Sequence, residues 1–410
     1  MAWLETRVMD ERIRFISELL EGDYGMLELC RAYNISRKTG YKWLGRYEQD
    51  GPAGLTDVSR APHHHPQEIP NKIKVAILSV KARYSHWGPA KIDYKLRKLY
   101  PLWSRYPAIS TIGLFLKRHG LVCSRKRRRH ASPTRPPLTA GTAPNDVWTV
   151  DFKGHFKTGD GRRCNPLTIN DHLSRYLLCC RHLDEMSYLL VKMQFERTFR
   201  EYGMPLVIRS DNGTPFSSRG IGGLSRLSAW WIRLGIHPER IEPARPDQNG
   251  RHERMHRTLK QYTAAPPAAD LKSQQDCFDV FTQEYNEERP HESLDMHTPS
   301  SLYVRSDRSF PSQLREPHYE QYLHVRRVQH HGDIIYKGRR LFLSESLRRE
   351  YIGIESVDED TSRRWYCNYE LGTLNHRKWQ IEPAKPCPLS AGGTPCPAHN
   401  STNVLPMSSV

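Results

Sequence analysis

The sequence predicts a multidomain chain with all-α units at the N-terminus, a central α/β domain on a mixed sheet, and a small β-barrel at the C-terminus. Three observations carry this. Apolar residues recur at helical spacing up to about residue 122, alternating and short apolar runs take over beyond Asn145, and after Pro317 only short β-type runs separated by turns remain.

The first unit, residues 1–50, opens with Met9, Ile13, Ile16 and Leu20 on one helical face, followed by a short helix holding Met26, Leu27, Leu29 and Cys30. Ser36 is placed to cap a third helix, RKTGYKWLGRY. A helix, a tight turn and a helix that begins with Arg37, Lys38, Thr39 and Lys42 is the outline of a helix-turn-helix. Tyr41, Trp43 and Leu44 are assigned to its core, leaving the basic and hydroxyl side chains for a DNA major groove. Residues 51–70 are linker by composition.

Helical spacing resumes over residues 71–122 in NKIKVAILSVKARY, GPAKIDYKLRKLY and PAISTIGLFLKRHGLV, a second unit of helix-turn-helix type whose last helix Ser110 or Thr111 would cap. In the basic, proline-containing linker 123–144, the run Arg125, Lys126, Arg127, Arg128 and Arg129 cannot bury a core. It can follow phosphates as an extended tether, which gives affinity without reading sequence.

In the central domain, residues 145–305, VWTVDFKGHF alternates, KTGDGRR is a turn, and CNPLTIND and RYLLCCRHL are two further strands. SYLLVKMQFERTFREYG is helical, PLVIRSD is a buried strand, and GLSRLSAWWIRLG, HERMHRTLKQYT and LKSQQDCFDVFTQEYNEERPH are helices. Strands followed by alternating helix and strand predict a mixed sheet. Residues 318–384 hold the runs expected to form the barrel, and the composition of 385–410 is that of a disordered tail.

The balance of charge narrows the function. Sixty-two Lys and Arg against 45 Asp and Glu leave a formal net charge of +17, which points to a polyanionic partner because cations on phosphates release condensed counterions. No apolar run approaches a membrane span and no secretory signal opens the chain, so a cytoplasmic, nucleoid-associated protein is expected. The nine cysteines are an odd number without zinc-ligand spacing, and His63, His64 and His65 lie in a linker without nearby cysteines. Neither feature makes a metal site.

The chemistry rests on acids. Asp151 lies inside one strand and Asp211 at the end of another, in SDNGTPF. Neighbouring strands would bring the two carboxylates together, where they repel unless divalent cations sit between them. Carboxylate and water ligands suit Mg²⁺. Two such ions, roughly 3.5–4 Å apart, stabilise both oxygens of an in-line displacement at phosphorus. Glu253, at the start of a helix, is the candidate third acid, with Arg257 and Lys260 on its face to meet the DNA backbone. Each acid also has a plainer role: an Asx turn for Asp211, an ion pair for Asp151, a favourable helix N-terminal charge for Glu253.

VWTVDFKG, SDNGTPF, ARPDQNGRHERMHRTLK and YNEERPHESLDMHTPSSLY, in that order, resemble the integrase catalytic core shared by bacterial insertion-sequence transposases and retroviral integrases. The likeness runs from Asn145 to Tyr303, and the helix-turn-helix ahead of it and the barrel behind it are similar to that transposase group. It implies an RNase H-like fold with Asp151, Asp211 and Glu253 as the D, D, E catalytic and metal-binding triad, and Asn212 and Gly213 in the loop after the second acid. Two Mg²⁺ ions, with Mn²⁺ able to substitute, would be the cofactor. Glu253 follows Asp211 by 42 positions, longer than the common family spacing, and Asp247, 36 positions on, is its rival. QNGRHER leading into a basic helix favours Glu253, and SSRGIGGLSR can absorb the extra length. Asp171 is a further acid near a strand end, expected to be structural. The zinc module of retroviral relatives is missing from the pattern.

The resemblance implies a transposase that binds terminal inverted repeats and carries out metal-dependent cleavage and strand transfer. Its partners would be double-stranded DNA, at element ends and target, and further copies of itself assembled on that DNA. The competing expectation is a sequence-specific repressor with a catalytically inactive core.

Overall fold

A computed structural model describes residues 8–57, 68–122, 138–218, 220–242, 246–314 and 316–384. The run Arg125, Lys126, Arg127, Arg128 and Arg129 and the tail 385–410 lie outside the described residues. The chain divides into two compact units, Met1–Pro70 and Asn71–Val410.

The first unit holds α1 (Val8–Glu21), α2 (Met26–Ala32) and α3 (Arg37–Asp50), then a 3₁₀ turn, Gly51–Leu55. Phe15, Ile16, Leu29, Cys30, Trp43 and Leu55 form its core. Ser36 caps α3 as expected, its Oγ accepting from the Thr39 N–H at 3.2 Å. Gly40 lets α3 approach α2 closely: a Cβ there would stand 2.7 Å from Cys30 Sγ and 2.8 Å from Met26 Sδ. Tyr41 departs from expectation. It is 59% exposed, because two residues on a helix are turned about 200° apart and Trp43 takes the buried side.

The second unit begins with α4 (Asn71–Arg83), α5 (Pro89–Leu99) and α6 (Ile109–Arg118). The N-cap of α6 is Ala108, which has no side-chain cap. Ser110 and Thr111 therefore sit inside the first turn, two and three residues past the cap position, which corrects that expectation.

The central sheet comprises β1 (Val147–Phe152), β4 (Pro166–Asp171), β5 (Leu177–His182), β6 (Val207–Ser210) and β7 (His237–Arg240), with a small hairpin of β2 (Phe156–Lys157) and β3 (Arg163–Cys164) between the first two. Its order is β5-β4-β1-β6-β7. β5, β4 and β1 are antiparallel neighbours, and β1, β6 and β7 run parallel. This is the mixed sheet the sequence predicts.

Alternation along β1 divides its side chains between two layers. Trp148 and Val150 join a core with Phe195 and Phe199 of α7 (Tyr188–Tyr202) and Trp230 and Trp231 of α8 (Arg226–Arg233). Thr149 and Asp151 therefore face the other side, where α9 (Gly250–Thr263) and α10 (Leu271–Gln283) supply Met255, Leu259, Phe278 and Phe281 to a second core. α10 continues as a π-turn, Glu284–Glu288, before the short α11 (Pro299–Leu302). Glu288 ties the leading helices to this layer, bonding Tyr84 OH and pairing with Lys95 at 3.0 Å and Arg83 at 3.6 Å.

The remaining strands are β8 (His324–Arg327), β9 (Asp333–Tyr336), β10 (Arg339–Phe342), β11 (Tyr351–Ser356), β12 (Thr361–Tyr366), β13 (Tyr369–Asn375) and β14 (Gln380–Pro383). Where the sequence predicts a closed barrel, the pairing among the described residues is a five-stranded antiparallel ladder, β14-β13-β12-β11-β8, with β9 and β10 as a separate hairpin. Ladder and hairpin share one core, to which Leu224 and, from α8, Ala229 and Ile232 also contribute.

Candidate active site

β1 and β6 keep one register through Val147↔Val207, Trp148↔Ile208 and Thr149↔Arg209. Carried two residues further, that register sets Asp151 level with Asp211, just past the end of β6. Adjacent strands lie about 4.8 Å apart, and level residues on parallel strands point to the same face. The two carboxylates therefore share one small region at the carboxyl ends of neighbouring strands. The Asp151 side chain is only 19% exposed. Burial, and after it the charge of Asp211, push its carboxyl up to about 7. Asn249 opposes the shift, its Nδ2 donating to Asp151 Oδ2 at 3.0 Å.

Asp211 does form the turn contact of the plainer reading, since the Gly213 N–H donates to its Oδ1 at 3.1 Å. Asn212 closes the loop by donating to the Ile241 carbonyl at 2.7 Å. A Cβ on Gly213 would stand 3.0 Å from Asp211 Oδ2, so glycine keeps that oxygen accessible.

α9 is fastened to the sheet by side chains that sequence reasoning passed over. His252 and His256, one turn apart on its buried face, both reach Thr168 on β4, each Nε2 lying 2.7 Å from Thr168 Oγ1. His252 Nδ1 lies 2.8 Å from Thr149 Oγ1. Thr168 Oγ1 donates to the backbone carbonyl of Asp151 at 3.0 Å. His256 Nδ1 stands 3.9 Å from Asp151 Oδ2. Burial lowers His252 to about 3 and lowers His256 as well, so both rings are neutral at pH 7. The missed signal was two histidines at i and i+4 on the same face as Met255 and Leu259, which must find polar partners inside.

Glu253, Arg257 and Lys260 lie exposed along α9. Among the described residues no three His, Cys, Asp or Glu side chains stand close enough together to hold a metal ion. Asp151 and Asp211 are coupled in charge, and Glu253 lies in the first turn of α9. The rival Asp247 lies in a 3₁₀ turn, Pro246–Asn249, directly ahead of α9. The aspartate pair fits a hard divalent cation: the donors are carboxylate oxygens, and one of them carries a charge its surroundings leave poorly compensated.

The other predicted positions fall as follows. Arg37, Lys38 and Lys42 are exposed on α3, while Thr39 is half-buried with its hydroxyl 2.9 Å from Ser36 Oγ. Asp171 is structural. It is buried and accepts from the Asn145 N–H, the Ser174 N–H and the Ser174 hydroxyl at 2.8, 2.8 and 2.6 Å. No helix among the described residues is long and apolar enough to cross a membrane.

Two models described as integrase core domain match residues 141–246 and 234–299. A helix-turn-helix domain model matches residues 11–63, and a homeodomain-like domain model matches 39–116. Integrase-core models thus match residues 141–299 of the chain, with helix-turn-helix and homeodomain-like models matching ahead of them.

It is 28% identical over 188 residues to the insertion element IS407 uncharacterized 31.7 kDa protein of Burkholderia multivorans, an alignment covering 45% of this chain and 65% of that one. It is 29% identical over 262 residues to the insertion element IS476 uncharacterized 39.2 kDa protein of Xanthomonas euvesicatoria, covering 60% and 70%. The Gag-Pol polyprotein of baboon endogenous virus is 29% identical over 199 residues, or 47% of this chain and 11% of that one. The chain thus spans less than two thirds of the IS407 protein and of the polyprotein. Among solved structures, the HTLV-2 integrase catalytic core domain in complex with magnesium is similar over 40% of this chain and all of its own, with a TM-score of 0.32 and 17% identity.

Proposed function

We propose that the chain is a DNA transposase that binds the terminal inverted repeats of a mobile element and catalyses cleavage and strand transfer. The observation that carries this is Asp151 on β1 coupled in charge to Asp211, just past the end of the parallel neighbour β6. Asp151 and Asp211 would hold Mg²⁺, as two ions with Mn²⁺ able to substitute, and Glu253 would complete the triad through its own side chain. Metal bound there supplies Lewis-acid stabilisation of the oxygens exchanged at phosphorus. Asn249 holds one oxygen of Asp151 and so fixes how the carboxylate is presented. Arg257 and Lys260 meet backbone phosphates beside the acids, and Arg37, Lys38 and Lys42 reach into a major groove, with Thr39 held at the helix start. The tether Arg125, Lys126, Arg127, Arg128 and Arg129 adds phosphate contacts, and the C-terminal strands, as a barrel-like module, add more. Two DNA ends must be held at once, so a homo-oligomer assembles on DNA in the bacterial cytoplasm.

The test is a strand-transfer assay with labelled duplex carrying the repeats that flank this reading frame, a plasmid target and Mg²⁺ or Mn²⁺. Joined product is expected from the wild type. Asp151→Asn, Asp211→Asn and Glu253→Gln should bind the ends and join nothing. Wild-type protein that binds the repeats yet neither cuts nor joins with any divalent ion would instead be a repressor with an inactive core.

A further inference from the structure

The hydroxyl of Thr168 has three partners, and counting hydrogens decides how they are arranged. It carries one hydrogen and two lone pairs. The Asp151 carbonyl, 3.0 Å away, can only accept, so it takes the hydrogen. His252 Nε2 and His256 Nε2, each at 2.7 Å, must then both donate. Both rings therefore carry a hydrogen on Nε2, whatever the state of Nδ1. The Thr149 hydroxyl satisfies His252 at its Nδ1. All of these side chains are buried: Thr168 is 0%, His252 1% and His256 5% exposed.

Thr168 is also the cross-strand partner of Asp151 in the β1–β4 ladder. One hydroxyl thus joins the backbone of the residue bearing the first acid to two turns of the helix bearing the third. Two anchors at i and i+4 fix both the rotation of a helix about its axis and its height along it. With His252 and His256 turned inward, Glu253, Arg257 and Lys260 are set on the flank of α9, and the freedom left to Glu253 lies chiefly in its own side chain and in the turn Pro246–Asn249.

We propose that Thr168, His252 and His256 are positioning residues, a buried clasp that registers the helix of Glu253 to the strand residue Asp151 for the reaction. The role rests on the transposase reading, but the clasp itself does not need that reading to be tested. Thr168→Val removes the hydroxyl at nearly constant shape, and Thr168→Ser keeps it. His256→Gln keeps a donor at the Nε2 position, whereas His256→Asn is too short to reach Thr168.

Two measurements on the full chain separate the outcomes. In ¹⁵N-histidine NMR spectra, two rings should show the Nε2–H tautomer and should be perturbed in Thr168→Val but not in Thr168→Ser. In strand transfer, Thr168→Val and His256→Asn should lower turnover roughly 10- to 100-fold. Affinity for the repeat duplex should stay within about twofold, since none of these side chains faces the DNA. Thr168→Ser and His256→Gln should recover most of the turnover. Nδ1–H rings, or a Thr168→Val enzyme with wild-type turnover, would overturn the clasp. Turnover that falls only as far as melting temperature and end-binding fall together would reduce it to ordinary packing, which also overturns it. Should the wild type join no DNA while the tautomers are as stated, the transposase reading fails and the clasp stands as a structural feature.

Discussion

The Asp151 carboxyl makes the core less stable whenever it is charged, and Asp151→Asn should reveal by how much. Its pKa is about 7 in the folded protein, against about 3.9 for an unperturbed aspartate. Between those values the folded chain keeps a proton that the unfolded chain has released, so stability falls as pH rises through the window and levels off above pH 7. At 1.36 kcal/mol per pKa unit the cost reaches about 4 kcal/mol at pH 8 and about 1.5 kcal/mol at pH 5. Asparagine has no charge to desolvate and can still accept from Asn249. It should stabilise the core by up to that amount at pH 8, and by about 2.5 kcal/mol less at pH 5.

A chain with several units has no single unfolding free energy. The suitable readout is native-state hydrogen exchange of peptides covering β1 and β6, which reports the stability of this sheet alone. Mg²⁺ should raise protection of the wild type at pH 8 and have little effect on Asp151→Asn, because an ion bound only by the folded state stabilises it. A variant no more protected than wild type at pH 8, or a gain equal at pH 5 and pH 8, would refute the assignment of an uncompensated buried charge.

Other outcomes follow from the same geometry. Asn249→Ala removes a donor to the charged form of Asp151, so the pH window of falling stability should extend above 7, read by the same exchange measurement. Asp247→Asn should leave strand transfer intact while Glu253→Gln abolishes it; the reverse pattern would make Asp247 the third acid. Arg257→Ala and Lys260→Ala should each lower the salt dependence of DNA binding by about one unit of log–log slope, measured by titration at several salt concentrations. Glu239→Ala strands Arg209 in a buried pair whose partners are 2.6 Å apart, and should cost the central sheet about 3–5 kcal/mol, read by hydrogen exchange of peptides covering β6 and β7.

Much of the central domain was legible because each element depends on local pattern. The alternation around Asp151 and the short apolar run into Asp211 gave two strands, and their parallel pairing then brings the acids level. The C-terminal module was less legible. Its strands were evident from β-type runs, but whether they close depends on which edges pair, and β8 and β14 are separated by more than fifty residues of chain. Tyr41 failed for a different reason: an aromatic ring next to a basic helix start carries no label saying which side of the helix it takes, and Trp43 claimed the core. Nothing local singles out His252 and His256 in a helix rich in charged residues. Their role depends on Thr149 and Thr168, more than 80 residues earlier in the chain, and no local window joins them.

Electrostatics links the acids to one another. The charge of Asp151 can be relieved by a proton, by a donor such as Asn249, or by a cation. The pair with Asp211 already raises the cost of the charged form. A third carboxylate brought alongside would raise it again, because like charges in a poorly solvated site cannot all ionise. An amide from the turn ahead of α9 donates to Asp151, and Glu253 lies exposed at the first turn of the helix, where the helix dipole favours a negative charge. The clasp then matters most, because its anchors His252 and His256 lie on either side of Glu253 in α9 and leave the reach of that acid to its own side chain.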